Sequence, residues 1–270
     1  MKKNQKLCMF CGKDKSHGSM SREHFVPKCL WEKGHRPLRT RTVWAHGSCN
    51  SSCSEDNEYF RDVLLMEEGA DNNEAARTVA QGAFKRKLDE QFGSVCKAIK
   101  NPAMRPVTTL SGIYLGHQHS FEVDWTRIRR VLFNVMKGIF QTIEKRPMPE
   151  DFMWGVQDVR FLEMAPYDKT IQDMVPWQSF GDDAFLCRYR FMRRPETVGM
   201  DCLMQFYRNR VFFGQAVSPT YIESRFGFVP FNTMSTILVP SFAADKTVTG
   251  SMATDPTMKR NNAKPDEVHR

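Results

Sequence analysis

The chain has 270 residues and a mass of 31.3 kDa, with 41% hydrophobic residues, 11% aromatics and a formal net charge of +8. It is too apolar for a disordered chain and long enough to bury a core without disulfides. No apolar run approaches the ~20 residues that span a bilayer. Gly12 and Lys13 cut short the apolar stretch after the basic start, so no signal peptide is expected and the chain reads as soluble and cytoplasmic.

In chain order, residues 1–60 come first, short, polar and rich in Cys, His and Gly. They carry eleven Lys and Arg against six Asp and Glu, so five of the eight net positive charges lie there. Charge at this density suits a polyanionic partner, because each phosphate neutralised releases counterions. It also fits a basic protein that binds nothing in particular. Five of eight cysteines (Cys8, Cys11, Cys29, Cys49 and Cys53) fall in this segment, a clustering that points to metal rather than to disulfides. Cys8-x-x-Cys11 and His46-x-x-Cys49 offer two donor pairs of equal spacing, which together make a closed tetrahedral Cys3His zinc site. A competing set replaces His46 by Cys53, and a non-metal reading leaves all of them ordinary thiols. A zinc site would tie together a segment too small to hold itself.

Between the two pairs lies Glu23-His24-Phe25-Val26-Pro27. Neighbouring side chains on a strand point to opposite faces unless the strand bulges or ends. At a strand end, both can address one substrate, the carboxylate through a metal and the imidazole through a water. Asn50 follows the last proposed zinc ligand, so the zinc is expected to draw it toward Glu23 and His24. Asn50 also opens an amphipathic helix (Tyr59, Phe60, Val63 and Leu64) whose start favours anions such as phosphate. Asp56 and Glu58 read as helix-start charges. His17 and His35 read as solvated. Trp31 and Trp44, interleaved with Lys28, Lys33, Arg39 and Arg41, suit either nucleic-acid contact or packing of the small module.

The middle, about 61–146, is helical in pattern. One helix is expected around 73–100, with a basic run at Lys85-Arg86-Lys87. A second is expected over 125–146, where Trp125, Ile128, Val131, Leu132, Val135, Met136, Ile139, Phe140 and Ile143 follow helical spacing. Asp124 is its N-cap, and Pro147 and Pro149 its stop. His117-x-His119 reads as an exposed loop pair. Beyond 150 the period shortens, and 185–191, 202–206 and 210–217 read as two or three antiparallel strands, with Arg188 and Arg190 on a solvent face. Cys96, Cys187 and Cys202 read as core thiols. A short strand is expected near Met234–Val239, and a disordered polar tail from about 244.

The ordered set Cys-x-x-Cys, acid-His-x-x-Pro, His-x-x-Cys-Asn resembles the HNH endonucleases of the ββα-metal class in their zinc-stapled form, over about residues 5–65. The resemblance implies an HNH-like module at 1–65; with the helical and alternating patterns and the polar end read above, the chain is expected to be α+β, with a helical and antiparallel-strand region of unknown role at 66–243 and the tail at 244–270. It implies hydrolysis of DNA phosphodiesters on a single divalent ion, Mg2+ with Mn2+ as surrogate. Glu23 and Asn50 then hold that ion and His24 acts as general base, while Cys8, Cys11, His46 and Cys49 hold a structural zinc. A prokaryotic or phage-borne setting, such as defence or a mobile element, follows from the same resemblance. Three positions depart from the pattern. The acid is Glu rather than the commoner Asp, one zinc ligand is His rather than Cys, and residues 25–49 contain no Asn. The family's middle Asn, which orients the base, is therefore absent, and Thr42 or a backbone carbonyl is the expected substitute. Alternative readings are an RNA-cutting nuclease, and a zinc-stabilised module that grips nucleic acid or a protein without chemistry. Residues 66–243 are the expected surface for any protein partner, and no membrane is involved. A zinc deaminase needs His-x-Glu before its cysteines, and none occurs.

Overall fold

The computed structural model describes residues 6–37, 41–67, 69–90, 100–109, 111–159, 168–179, 184–194 and 197–220. At the amino end, Cys8 to Lys13 form a tight turn. The Gly12 N–H donates to the Cys8 carbonyl at 2.9 Å and the Cys8 N–H to the Lys13 carbonyl at 2.8 Å. Gly12 sits at φ +68°, a backbone region that glycine enters without steric cost. Next comes β1 (Met20–His24), antiparallel to β2 (Thr42–His46), with Met20 opposite His46 and His24 opposite Thr42. Helix α1 (Gly47–Ser51) starts where β2 ends, and α2 (Ser54–Leu65) follows after a short turn. This is a β-β-α unit of the general HNH-like type.

Helix α3 (Glu74–Val79) is capped by Asn73, whose Oδ1 accepts from the Ala76 N–H at 3.2 Å. A π-helical segment, Ala80–Phe84, prolongs it, and helix continues to residue 90. The helix expected over 73–100 thus ends sooner, since Lys100 already begins β3 (Lys100–Thr108), which pairs with β4 (Tyr114–Glu122). This two-stranded ribbon interrupts the helical middle expected across 61–146, which is otherwise helical at its start, over 74–90 and over 125–144. Pro102 and Pro106 hid it from pattern reading, because proline interrupts a strand's ladder. His117 lies on β4 and is exposed, its Nδ1 meeting the Tyr114 hydroxyl at 2.5 Å.

Helix α4 (Trp125–Glu144) follows the apolar spacing closely. Its buried residues run from Ile128 to Phe140, and Asp124 Oδ1 accepts from the N–H groups of Thr126 (3.0 Å) and Arg127 (3.4 Å). Its stop precedes the prolines: Lys145 at φ 59° caps the helix through the Gln141 carbonyl. Then come β5 (Met153–Asp158), α5 (Asp168–Gln172), β6 (Gln178–Ser179), β7 (Phe185–Arg194), β8 (Thr197–Phe206) and β9 (Arg210–Val217). The strands form one antiparallel sheet in the order β5-β9-β8-β7-β6. The three expected strands are its centre, and β5 and β6 are its edges. Arg188 and Arg190 do not simply face solvent. Arg188 donates to the Ile171, Met174 and Val175 carbonyls, and Arg190 pairs with buried Asp201 at 2.7 Å. Cys187 and Cys202 are fully buried; burial pushes the Cys187 thiol up to about 12. Cys96, the Met234–Val239 strand and the tail lie outside the described residues.

Helix α4 joins the halves. Toward the sheet, Met136 lies where a Cβ on Gly214 would fall, and Phe140 meets Phe152 and Phe191. Toward the β-β-α unit, Phe25 fills the place of a Gly138 Cβ. A single hydrophobic cluster therefore runs from Met9 and Phe25 through α4 to Phe206 and Phe212.

Candidate zinc centre and adjoining cleft

The Cys8 turn and the β2–α1 junction bring four donors together. Those of Cys8, Cys11, His46 and Cys49 all lie within 4.8 Å of one another. The His46 Nδ1 is 3.3 Å from Cys11 Sγ and 4.0 Å from Cys49 Sγ. A zinc tetrahedron with bonds near ~2.3 Å has edges of about 3.8 Å, so the donor set fits the ion. Its surroundings fit as well. His46 Nε2 lies 2.9 Å from the Asp14 carbonyl, which accepts the Nε2–H hydrogen bond and so leaves the Nδ1 lone pair for metal. The His46 backbone N–H points at Cys8 Sγ, 3.4 Å away. Burial opposes a Cys8 thiolate, yet the backbone N–H groups of His46, Cys11 and Phe10 together outweigh it and lower the thiol's pKa. Cys49 is pushed up to about 11 by burial and by the neighbouring Cys8 and Cys11 sulfurs, a repulsion that a divalent cation relieves. This is a Cys3His metal site consistent with structural Zn2+. Cys53 is turned elsewhere: its thiol donates to the Cys49 carbonyl and accepts from Asn134 Nδ2 at 3.3 Å. Lys137 and Gln141 of α4 brace the turn through the Phe10 (3.0 Å) and Leu7 (2.9 Å) carbonyls.

Glu23 and His24 are the last two residues of β1, after which Phe25 dives toward Gly138. Both residues line a cleft of about 280 Å³ together with Asn50 of α1, and Lys28, Arg36, Ser54, Asn57 and Glu58 share its wall. Glu23 is firmly engaged. Its Oε1 accepts from Ser21 Oγ at 2.7 Å, and its Oε2 faces Lys28 Nζ at 3.5 Å. The His24 pKa is lowered, first by burial and then by the charges of Lys28 and Arg36, against a raising effect of Glu23. Its imidazole is therefore held neutral. Among the described residues nothing hydrogen-bonds that ring. Thr42, across from it on β2, accepts from Arg22 Nε at 2.9 Å instead, so the expected orienting role for Thr42 is not realised.

Asp56 and Glu58, read together as helix-start charges, part company. Asp56 pairs with Arg127 and Arg130 of α4 at 2.7 and 2.8 Å, whereas Glu58 joins the cleft wall and meets Lys87 at 3.6 Å. The signal missed in the sequence is the four-residue spacing of Ser54 and Glu58, which puts them on one face of α2, toward Asn50 at the end of α1. Trp31 is buried, which removes it as a nucleic-acid contact. Trp44 is half-buried beneath Lys6 and Arg22. His17 and His35 are exposed.

Among the described residues the Cys3His set is the one His, Cys, Asp and Glu group tight enough for direct coordination. The cleft offers carboxylate and amide oxygens, the donors that hard divalent ions take. Comparison of the chain with family models, with curated proteins and with solved structures finds no match.

Proposed function

We propose that the protein acts on DNA through a zinc-pinned β-β-α module, and that the Glu23–His24–Asn50 cleft hydrolyses phosphodiester bonds with a divalent cation. One observation carries this reading: residues from the end of β1 and from α1 line one cleft although 26 positions separate His24 from Asn50. Glu23 and Asn50 would supply oxygen ligands for Mg2+ or Mn2+, and the bound ion would supply neutralisation of the charge that builds up on the phosphate. His24, held neutral, takes the proton from the attacking water. Lys28 and Arg36 give the cleft the positive charge that a phosphate backbone requires.

A second reading is a zinc-stabilised module that grips nucleic acid or a protein without cutting it. The unsupported His24 ring favours it, as does the restriction, among the described residues, of a coordination-tight set to the zinc centre. Incubation of plasmid with the protein and Mg2+ or Mn2+ separates the two. Nicking that is lost with EDTA and in His24→Ala supports hydrolysis, and retention of DNA without nicking supports the grip-only module. An RNA substrate run alongside decides which polymer is cut.

A further inference from the structure

In the cation site of that reading, Glu23 already has a counter-ion. Ser21 occupies its Oε1 and the Lys28 ammonium stands at its Oε2. The two members of the ion pair are unequally free: the Glu23 side chain is 15% exposed, while that of Lys28 is 45% exposed on a flexible four-carbon stem. Beside them in the cleft wall, the exposed guanidinium of Arg36 makes no hydrogen bond or ion pair among the described residues. A divalent cation and the Lys28 ammonium thus compete for one carboxylate oxygen, and the displaced ammonium is left in a cleft that already presents one unneutralised cation.

We propose that Lys28 is an exchangeable counter-ion, which neutralises Glu23 in the free protein and turns to a DNA phosphodiester beside Arg36 when a divalent cation takes the carboxylate. The inference rests on the hydrolytic reading of the cleft and adds to it a coupling between two ligands. Cation binding releases Lys28 for phosphate, and phosphate binding draws Lys28 away from Glu23. By linkage each ligand strengthens the other by the same factor. The cleft is therefore selective for a phosphodiester and a metal arriving together. Loss of the Lys28 charge acts with opposite sign on the two ligands, which neither misfolding nor a purely structural lysine produces.

The test uses the zinc-loaded full chain carrying His24→Ala, so that DNA stays intact. Mn2+ binding without DNA is measured by calorimetry, and binding of a short duplex at saturating Mn2+ is measured by fluorescence anisotropy over a salt series. Relative to that parent, Lys28→Met is expected to bind Mn2+ about 3- to 10-fold more tightly without DNA. With Mn2+ it is expected to bind the duplex about 3- to 10-fold more weakly, its salt slope smaller by about one. Lys28→Arg should stay close to the parent in both. Mn2+ affinity that is unchanged or weaker in Lys28→Met overturns the proposal. Lys28→Gln replaces the Met variant should zinc content or circular dichroism show that the latter is not folded. Glu23→Gln separates the two levels. Mn2+ binding that survives it removes the hydrolytic reading along with the proposal, whereas Mn2+ binding that needs Glu23 but ignores Lys28 removes the proposal alone.

Discussion

At the Cys3His cluster the donors are held largely by backbone: Cys8 by the amides of its own turn and of His46, and the His46 ring by the Asp14 carbonyl. The cleft shares α1 with that cluster, through Asn50 beside Cys49, yet its groups are held by side chains or by nothing. Glu23 answers to Ser21 and Lys28, and the His24 ring has no hydrogen-bonding partner among the described residues. Backbone donors cannot swing away, so a site built on them keeps its geometry for a permanent ion. A site whose polar groups have exchangeable partners can accept an ion and a substrate that come and go. The contrast is what the proposal of a structural role for the cluster and a working one for the cleft draws on.

The largest expected effect breaks the first half of this comparison. Chelation of zinc, or Cys8→Ser, withdraws binding free energy on the order of 10 kcal/mol that a small zinc module draws on to fold. The β-β-α unit should lose its cooperative thermal transition in circular dichroism as zinc appears in the dialysate. A transition unchanged by chelation would show that α4 alone holds the module. His24→Ala comes next. Nicking should fall by about 100- to 10,000-fold, with zinc content and melting temperature unchanged.

Gly138→Ala probes the link between the two sites. A Cβ there would lie 2.0 Å from the Phe25 Cβ, next to His24, so Phe25 must shift. Overpacking of this kind costs about 1–3 kcal/mol. Nicking should drop while zinc stays bound, and equal activity would show that Phe25 does not position His24. The smallest effect is in pH. Burial, Lys28 and Arg36 lower the His24 pKa, and the neutral, proton-accepting form therefore persists below the ordinary value of 6.5. Activity should be fully present above pH 6.5 and fall only as pH drops through the lowered pKa. A cation on Glu23 cancels the one neighbour that raises this pKa, so the direction stands. A half-loss of activity above pH 6.5 would contradict it.

Much of this was legible from residue order. The i, i+3, i+4 spacing of α4 gave its extent, because helix packing on one face demands that period. The carboxylate just before the first apolar position gave its cap, because it can accept from the free N–H groups of the first turn. The equal spacing of the two donor pairs gave the zinc set, since a two-residue gap returns the chain to the same point in a tight turn. The β3–β4 ribbon was not legible. Its prolines and largely exposed surface leave no alternation to read, and its pairing is a contact between strands rather than a property of either one. Edge strands β5 and β6 were missed for the same reason. The choice of His46 over Cys53 turned on the Asp14 carbonyl and on Asn134, groups remote in sequence from the residues they sort.

What the sequence determined by itself was local: which residues repeat with a helix's period, which alternate as strands, and which donors recur at equal spacing. All of these are set by backbone geometry within a few residues. Only the tertiary structure decided that α4 is wedged between the module and the sheet, that Glu58 faces the cleft while Asp56 turns to α4, and that Lys28 stands against Glu23. Those outcomes depend on which side chains from distant segments compete for the same volume or the same charge, and that competition is settled only when the chain is packed.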